Sequence, residues 1–138
     1  MTQLAAIPSL APTGPTMLAV RRIATEDGTD AACDEVVEIK LHLPPGLRYF
    51  EGHFPGCPLL PGVVQVKWAV DLGRAHCAAL FAAQPRFVSL SNVKFMRVIL
   101  PESVVDLRLE ASCARGRLAY EYRVGGALCS SGAIGFAA

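Results

Sequence analysis

The sequence lacks three features that would each assign it to a broad class of protein. It has no run of about 18 uncharged apolar residues, so it predicts no membrane-spanning helix. Its formal net charge is only +1, without the basic stripe that binding to nucleic acid normally needs. Its N-terminus has no charged segment ahead of an apolar stretch, which argues against a signal peptide. We therefore expect a cytoplasmic protein with no nucleic acid partner and no membrane span.

The cysteines also lack a pattern. They are odd in number and widely spread, and no two of them form a CxxC pair. We interpret them as small buried apolar side chains in a reducing compartment, and we expect neither a disulfide framework nor a metal site. The cysteines are Cys33, Cys57, Cys77, Cys113 and Cys129.

The length and hydrophobicity favour one domain with a substantial core. The chain has 138 residues and is 52% hydrophobic. Residues 1–15 contain three prolines and no charge, which indicates a flexible tail ahead of a single domain over residues 16–138. Apolar residues alternate with polar ones from Glu35 to Leu43, which is typical of a half-buried strand.

One long helix is predicted over residues 61–81, and it is apolar around most of its circumference. Residues 44–60 are interrupted by prolines and glycines and predict an irregular loop. The remaining segments predict strands. This order favours an α+β fold in which a curved antiparallel sheet wraps one apolar helix. The predicted strands cover residues 16–25, 35–43, 86–98, 103–112, 118–124 and 128–136.

The chemically informative segment runs from Gly52 to Gln65 and reads GHFPGCPLLPGVVQ. His53 stands in a tight apolar loop just before the predicted helix. An imidazole titrates near neutral pH and can accept a proton there. The first turn of a helix leaves N–H groups without partners, and the helix dipole favours negative charge beside them. A base and donors for an oxyanion are therefore predicted within one contiguous segment.

This segment resembles the bacterial 3-hydroxyacyl-(acyl-carrier-protein) dehydratase family, whose signature reads GHFPxxPxxPGV. Residues 92–97 and the Pro101-Glu102 turn are similar to a later strand and turn of that family. Residues 59–69 look closest to its ApeI-like branch, dehydratases associated with aryl-polyene and related acyl chains. The resemblance implies a hot-dog fold with a long central helix wrapped by a curved antiparallel β-sheet. It also implies a homodimer or higher oligomer and no cofactor.

The resemblance implies dehydration of a (3R)-3-hydroxyacyl thioester to the trans-2-enoyl thioester in fatty-acid or polyene-type synthesis. His53 would remove the C2 proton, and the 3-hydroxyl would leave as water. The N–H groups of Gly62 and Val63 would hold the thioester oxygen as charge develops on it. The substrate would be bound to acyl carrier protein or to coenzyme A.

Further positions follow from the same resemblance. An acyl tunnel would be lined by Phe54, Leu60 and Val66, although ordinary core packing accounts for each of them equally well. Basic side chains near the tunnel mouth would contact an acidic carrier protein, and the candidates are Arg48, Lys94 and Arg97.

The sequence departs from the family at one position of the helix. The family has a carboxylate fourteen positions after the histidine that helps the hydroxyl to leave, and Lys67 stands there in this chain. Asp71 lies one turn further on and can reach the hydroxyl through a water, because a helix turn spans about 5.4 Å. Alternatively, Lys67 donates the proton with its pKa lowered by burial. A third possibility is an ordinary i,i+4 salt bridge on a hydrated face, worth about 0.3–0.5 kcal/mol.

Two rival functions remain open. A hot-dog thioesterase would use a carboxylate such as Asp71 to activate water. A catalytically weakened subunit would bind acyl groups beside an active dehydratase, and Lys67 favours that interpretation. His42 and His76 lie outside the motif and are interpreted as structural or solvent-facing.

Overall fold

The computed structural model of the protein describes residues 14–23, 34–44 and 59–138. Within these ranges the chain forms strands and helices in the order two strands, two helices and four strands. The elements are β1 (Thr16–Ile23), β2 (Glu35–His42), α1 (Gly62–His76), α2 (Ala78–Ala83), β3 (Arg86–Phe95), β4 (Val104–Ser112), β5 (Arg117–Val124) and β6 (Ala127–Ala137).

The strands form one antiparallel sheet in the order β1-β2-β4-β5-β6-β3. The β5–β6 hairpin turns through Gly125 and Gly126, both of which have positive φ. Two such residues form the tight hairpin turn that matches the twist of paired strands. β1 and β3 lie at the two edges of the sheet. The predicted α+β architecture, a curved antiparallel sheet with one long helix, is confirmed.

One face of the sheet carries the core. The apolar residues predicted to point one way along β2 are almost fully buried, with exposures of 0–1%. The same two-residue period continues along the central strands, because successive strand side chains point to opposite faces. The buried set on these strands includes Val37, Ile39, Leu41, Val105, Leu107, Leu109, Leu118, Tyr120, Tyr122, Ile134 and Phe136.

α1 packs against this apolar face. Its buried residues recur every three or four positions, as expected for one side of a helix, and they include Trp68 and Ala69. Gly73 marks a close approach, since an added Cβ would lie 2.7 Å from Leu118 Cδ2. On the opposite side, Val63 is 76% exposed. The single chain therefore covers only part of this apolar helix.

The predicted helix over residues 61–81 is wrong in two respects. Pro61 has extended backbone angles and caps the helix, which begins at Gly62. At Cys77 the backbone leaves helical geometry, so that α1 ends and α2 begins one residue later. The break allows Cys77 and Leu80 to be completely buried, and Phe81 nearly so, which a straight apolar repeat does not reveal.

The predicted strand over residues 86–98 is too long. β3 ends at Phe95, and its pairing with β6 is interrupted by a register shift at Asn92, which has φ of 54°. Beyond the strand, the N–H groups of Met96 and Arg97 both donate to the carbonyl of Cys129. Two donors on one acceptor do not continue a regular strand ladder.

Several other predictions are settled only in part. Cys77, Cys113 and Cys129 are buried, as predicted, whereas Cys33 and Cys57 lie outside the described residues. Most of the predicted tail and of the predicted loop over residues 44–60 also lies outside them. No helix in the described part of the chain is long and apolar enough to cross a membrane.

Candidate active site

The segment that leads into α1 is held by backbone hydrogen bonds. Leu60 is 2% exposed, and its N–H donates to the carbonyl of Ile99 at 2.8 Å. Pro61 follows in an extended conformation, which fixes where the helix starts. The chain therefore enters the helix through a buried and fixed connection.

The first turn of α1 presents backbone donors that no described residue satisfies. The carbonyl of Pro61 accepts from the N–H groups of Val64 at 3.1 Å and Gln65 at 3.2 Å. Gly62 and Val63 precede the first helical bonds, and no described residue accepts from their N–H groups. α1 carries no acidic residue in its first turn, so the helix itself does not neutralise the positive end of its dipole. Gly62 and Val63 are thus suited to hold an oxygen that gains negative charge.

An open, largely apolar cavity of about 260 Å³ lies beside this turn. The Phe95 ring lies directly against Gly62, where an added Cβ would be 2.5 Å from Phe95 Cζ. Glycine at this position therefore allows an aromatic wall to contact the helix start. The lining residues are Leu59, Leu60, Gly62, Gln65, Phe95, Met96, Arg97 and Val98.

A buried polar group stands at the inner side of the cavity. Among the described residues, Gln65 and Ser130 are the polar side chains that are buried, with exposures of 3% and 0%. Ser130 Oγ donates to Gln65 Oε1 at 2.6 Å, and Gln65 Nε2 donates to the carbonyl of Leu60 at 3.1 Å. The amide therefore joins β6 to the residue that precedes the helix cap.

The backbone of Gln65 has a second anchor. The Tyr122 hydroxyl donates to the Gln65 carbonyl at 2.6 Å. Burial, together with the nearby Tyr120 hydroxyl and Asp71 carboxylate, raises the pKa of Tyr122 well above its ordinary value. The hydroxyl therefore stays protonated and remains a donor, so that β5 also holds α1 in place.

The two candidate acid residues form an ion pair on the outer side of α1. Lys67 Nζ lies 2.6 Å from Asp71 Oδ2, and the two side chains are 59% and 47% exposed. Arg74, one turn further along, lies over the Phe81 ring at 5.1 Å from its centroid.

The structure brings some of the predicted site residues together. Leu60 and Gly62 line the cavity directly, and Val63 follows Gly62 in the same helical turn. Val66 is partly buried against the core. His53, Phe54 and Arg48 lie outside the described residues.

The two described basic candidates lie at different cavities. Arg97 lines the cavity beside the helix start. Lys94 instead lines a separate cavity over the polar face of the sheet, together with Arg108 and Glu121. Only Arg97 therefore lies next to the candidate site.

Sequence reasoning assigned no role to Gln65, Ser130 or Phe95. The position of Gln65 carried a signal, because it shares the apolar helix face with Trp68 and Ala69, where a polar residue needs a partner. Ser130 carried no comparable signal. Among residues 14–23, 34–44 and 59–138, no cluster of three His, Cys, Asp or Glu side chains could hold a metal ion.

Comparisons with known proteins agree with this geometry. The sequence model of the ApeI-like family, described as ApeI dehydratase, matches residues 29–133. The 3-hydroxyacyl-(acyl-carrier-protein) dehydratase FabZ of Moorella thermoacetica is 34% identical over 95 residues, which are 64% of this chain and 66% of the relative. The FabZ of Erythrobacter litoralis is 32% identical over 86 residues, which are 55% and 53% of the two chains. The matched region thus spans about half to two thirds of these curated relatives.

Solved structures share the fold over most of the chain. A protein from Erwinia carotovora subsp. atroseptica superposes with a TM-score of 0.75 and 30% identity, covering 90% of this chain and 96% of its own. The dehydratase heterocomplex ApeI:P from Xenorhabdus doucetiae superposes with a TM-score of 0.73 and 26% identity, covering 91% and 100%. Zebra fish thioesterase superfamily member 2 reaches 0.56 at 13% identity, covering 83% and 90%, which shows the fold alone. The hot-dog architecture is thereby confirmed.

Proposed function

Because the chain belongs to the ApeI-like family of dehydratases, we propose that it removes water from a (3R)-3-hydroxyacyl thioester carried by acyl carrier protein. The product is the trans-2-enoyl thioester, made during the synthesis of a fatty-acid or polyene-type acyl chain. The observation that carries this proposal is the first turn of α1. There Gly62 lines an apolar cavity and Val63 follows it, nine and ten positions after the histidine of the motif, and no described residue accepts from their N–H groups.

The reaction uses this turn as an oxyanion hole. His53 takes the C2 proton, and the electron pair left on C2 delocalises onto the thioester oxygen. Backbone donors already placed at that oxygen lower the barrier, and losing one of them costs about 2.7–4 kcal/mol in a well-studied protease. The pair then forms the C2–C3 double bond, and the hydroxyl on C3 departs with a proton as water.

We propose that Asp71 assists the departure of the hydroxyl through a bound water, while Lys67 holds the carboxylate in place. This rests on the 2.6 Å contact between the two side chains and on their position one and two turns into α1.

The experiment that tests the function is a dehydration assay on medium-chain 3-hydroxyacyl thioesters of coenzyme A and of acyl carrier protein. Mass spectrometry would follow the loss of water, and His53→Ala should abolish it. His76→Ala is the matched control, since His76 lies at the end of α1 away from the motif. Full activity of His53→Ala would overturn the proposal. Release of free thiol without loss of water would point to a thioesterase instead.

The acid assignment has its own pair of variants. Asp71→Asn should lower kcat by about 100-fold or more, since about 100-fold is the lower end of a general acid contribution. If Asp71→Asn were silent and Lys67→Ala inactive, the proton would come from Lys67 instead.

We propose that Arg97 contacts the acidic carrier protein, because it lines the cavity beside the helix start. Arg97→Ala should raise KM for the carrier-bound substrate and leave KM for the coenzyme A substrate unchanged. Lys94→Ala is the matched control on the other side of the sheet. Equal effects of both substitutions would argue against a specific contact at Arg97.

The tunnel assignment is also a proposal. Leu60 already faces the cavity, and Val66 lies one turn further along the helix, partly buried. Val66→Phe should shorten the longest acyl chain that is dehydrated, because a larger side chain would fill the tunnel. An unchanged chain-length profile would assign Val66 to the core.

We propose that two copies of the chain pair through β3. This edge strand is exposed along most of its length, with Phe87, Val88 and Leu90 each 43–54% exposed. Pairing would give hydrogen-bond partners to the backbone N–H and C=O groups along the outer edge of β3, and it would cover apolar side chains. Light scattering should show a dimer that Leu90→Lys converts to monomer. Leu18→Lys on β1, at the opposite edge, is the matched control and should leave the dimer intact.

A second candidate is a subunit of a dehydratase heterocomplex. It is favoured by Lys67, which stands at the helix position of the usual carboxylate, and by the likeness to a dehydratase heterocomplex. In that case the isolated chain would lack dehydratase activity, and the activity would appear when a second hot-dog chain is added.

A further inference from the structure

The Gln65 side chain is an exception in the packing of α1. It lies on the buried face of the helix between Val64 and Trp68, with 3% exposure. An apolar residue of similar volume would fill this space without bringing an amide out of water. Because an amide in an apolar core costs free energy unless its hydrogen bonds are made, its contacts indicate its role.

Those contacts form a continuous chain from the sheet to the helix start. Ser130 Oγ, on β6, donates to Gln65 Oε1 at 2.6 Å. That bond orients the amide so that Nε2 donates to the carbonyl of Leu60 at 3.1 Å. Leu60 in turn donates its N–H to Ile99 at 2.8 Å. We call Ser130, Gln65 and Leu60 the Gln65 clamp.

The clamp acts at the point where the chain enters the site. The Leu60 carbonyl precedes the helix cap Pro61 and therefore cannot serve the helix ladder as an acceptor. Gln65 supplies its partner, one turn inside the same helix. Both backbone polar groups of Leu60, its N–H and its carbonyl, are thereby fixed two residues before Gly62.

We propose that Gln65 is a positioning residue that holds the first turn of α1 so that the N–H groups of Gly62 and Val63 aim at the thioester oxygen. The proposal rests on the proposed dehydratase function. Gln65 does not itself touch the reacting atoms; it acts through Leu60 and Pro61. Displacement of a reacting geometry by about 1 Å can cost on the order of 100-fold in rate.

Gln65→Leu removes the clamp while keeping an apolar side chain of similar size. We expect kcat to fall by about 10-fold to 100-fold with KM changed by less than about threefold, because the donors act in the transition state. Ser130→Ala leaves the amide in place but removes its orientation, and it should lower kcat in the same direction by less. If Gln65→Leu does not fold, Ser130→Ala still tests the proposal.

Gln84→Leu is the matched control. It also replaces a glutamine whose Nε2 donates to a backbone carbonyl, that of Cys113 at 3.1 Å, but this bond lies after α2 and not at the start of α1. A merely structural role for the clamp would make Gln84→Leu and Gln65→Leu equally harmful to kcat. The proposal expects kcat of Gln84→Leu to stay within about threefold of the unmodified protein, since the start of α1 is not touched.

Hydrogen exchange at the Leu60 amide gives a readout that does not depend on activity. The Leu60 N–H donates to the carbonyl of Ile99, so a loosened helix start should raise its exchange rate, on the order of 10-fold in Gln65→Leu and little in Gln84→Leu. If the unmodified protein dehydrates no substrate, the proposed function fails. The exchange rate of the Leu60 N–H then tests by itself whether Gln65 holds the helix start. Unchanged kcat and unchanged exchange in Gln65→Leu would overturn the inference, as would equal losses in both variants.

Discussion

Two polar pairs on α1 begin only two residues apart but lie in opposite environments. Gln65 meets Ser130 inside the core, and Lys67 meets Asp71 on the outer face. Both contacts measure 2.6 Å. The exposed fractions differ completely: the first pair is 0–3% exposed, and the second pair is 47–59% exposed.

Equal distances therefore do not imply equal energies. Water competes for both members of the exposed pair, so an i,i+4 ion pair of this kind contributes about 0.3–0.5 kcal/mol. No water competes in the core, where loss of one partner leaves the other unsatisfied at a cost of about 1–3 kcal/mol. The buried pair is suited to fix geometry, whereas the exposed pair remains free to exchange partners or protons.

The largest expected effect is on the buried pair. Gln65→Leu should lower the free energy of unfolding by about 1–3 kcal/mol, because Ser130 Oγ and the Leu60 carbonyl lose their partner. Urea denaturation would measure the change. If Gln65→Leu lost no more free energy of unfolding than Asp71→Asn, the buried pair and the exposed pair would be energetically alike.

The second prediction concerns the same buried face. Gly73→Ala places a Cβ 2.7 Å from Leu118 Cδ2, and Leu118 is completely buried. Overpacking costs about 1–3 kcal/mol, and alanine recovers up to about 1 kcal/mol of helix propensity. We expect a net loss of about 1 kcal/mol in urea denaturation. A gain in stability would mean that Leu118 can move aside.

The third prediction extends the comparison to the polar face of the sheet. The hydrogen bond from Arg21, opposed by burial and reinforced by Arg108, holds the pKa of Glu38 below its usual value. The pKa of Glu38 is therefore lower in the folded protein than in the unfolded chain. The stabilisation from its ion pairs is fully present at pH values above the unfolded pKa, and it is lost as the pH falls through the folded pKa. These groups are partly exposed, so Glu38→Gln should cost at most about 1 kcal/mol at pH 7.

Denaturation at several pH values would check this prediction. The difference between Glu38→Gln and the unmodified protein should shrink as the pH falls below about 4, close to the unfolded pKa of a glutamate. A difference that stayed constant with pH would assign the loss to packing and not to charge.

The smallest expected effect is on the exposed pair. Asp71→Asn should change the free energy of unfolding by no more than about 0.5 kcal/mol, although it should slow the reaction. The stability difference should disappear in about 1 M salt, where the Debye length is about 3 Å. A loss above 1 kcal/mol that resists salt would place Asp71 in a buried network instead.

Much of the fold was predictable because its signals are local. The alternation along β2 identifies its buried face, and the turn at Gly125 and Gly126 identifies a hairpin. The helix that contains α1 was predictable as a long segment that is apolar around most of its circumference. The break at Cys77 was missed because it depends on how Leu80 and Phe81 pack against the sheet, which no local pattern records.

The candidate site also has a part that is predictable from local sequence and a part that is not. Its motif and the donors of Gly62 and Val63 follow from a histidine, a proline and a helix start that are neighbours in the chain. The Gln65 clamp does not follow from chain neighbours, because Ser130 lies 65 positions from Gln65 and the sheet brings the two together. The sequence by itself thus determined which N–H groups lie in the first turn of α1, since chain order alone decides which N–H groups precede the first helical bonds. Only the tertiary structure decided how those groups are held, since a buried hydrogen bond requires two distant segments to meet where water is absent.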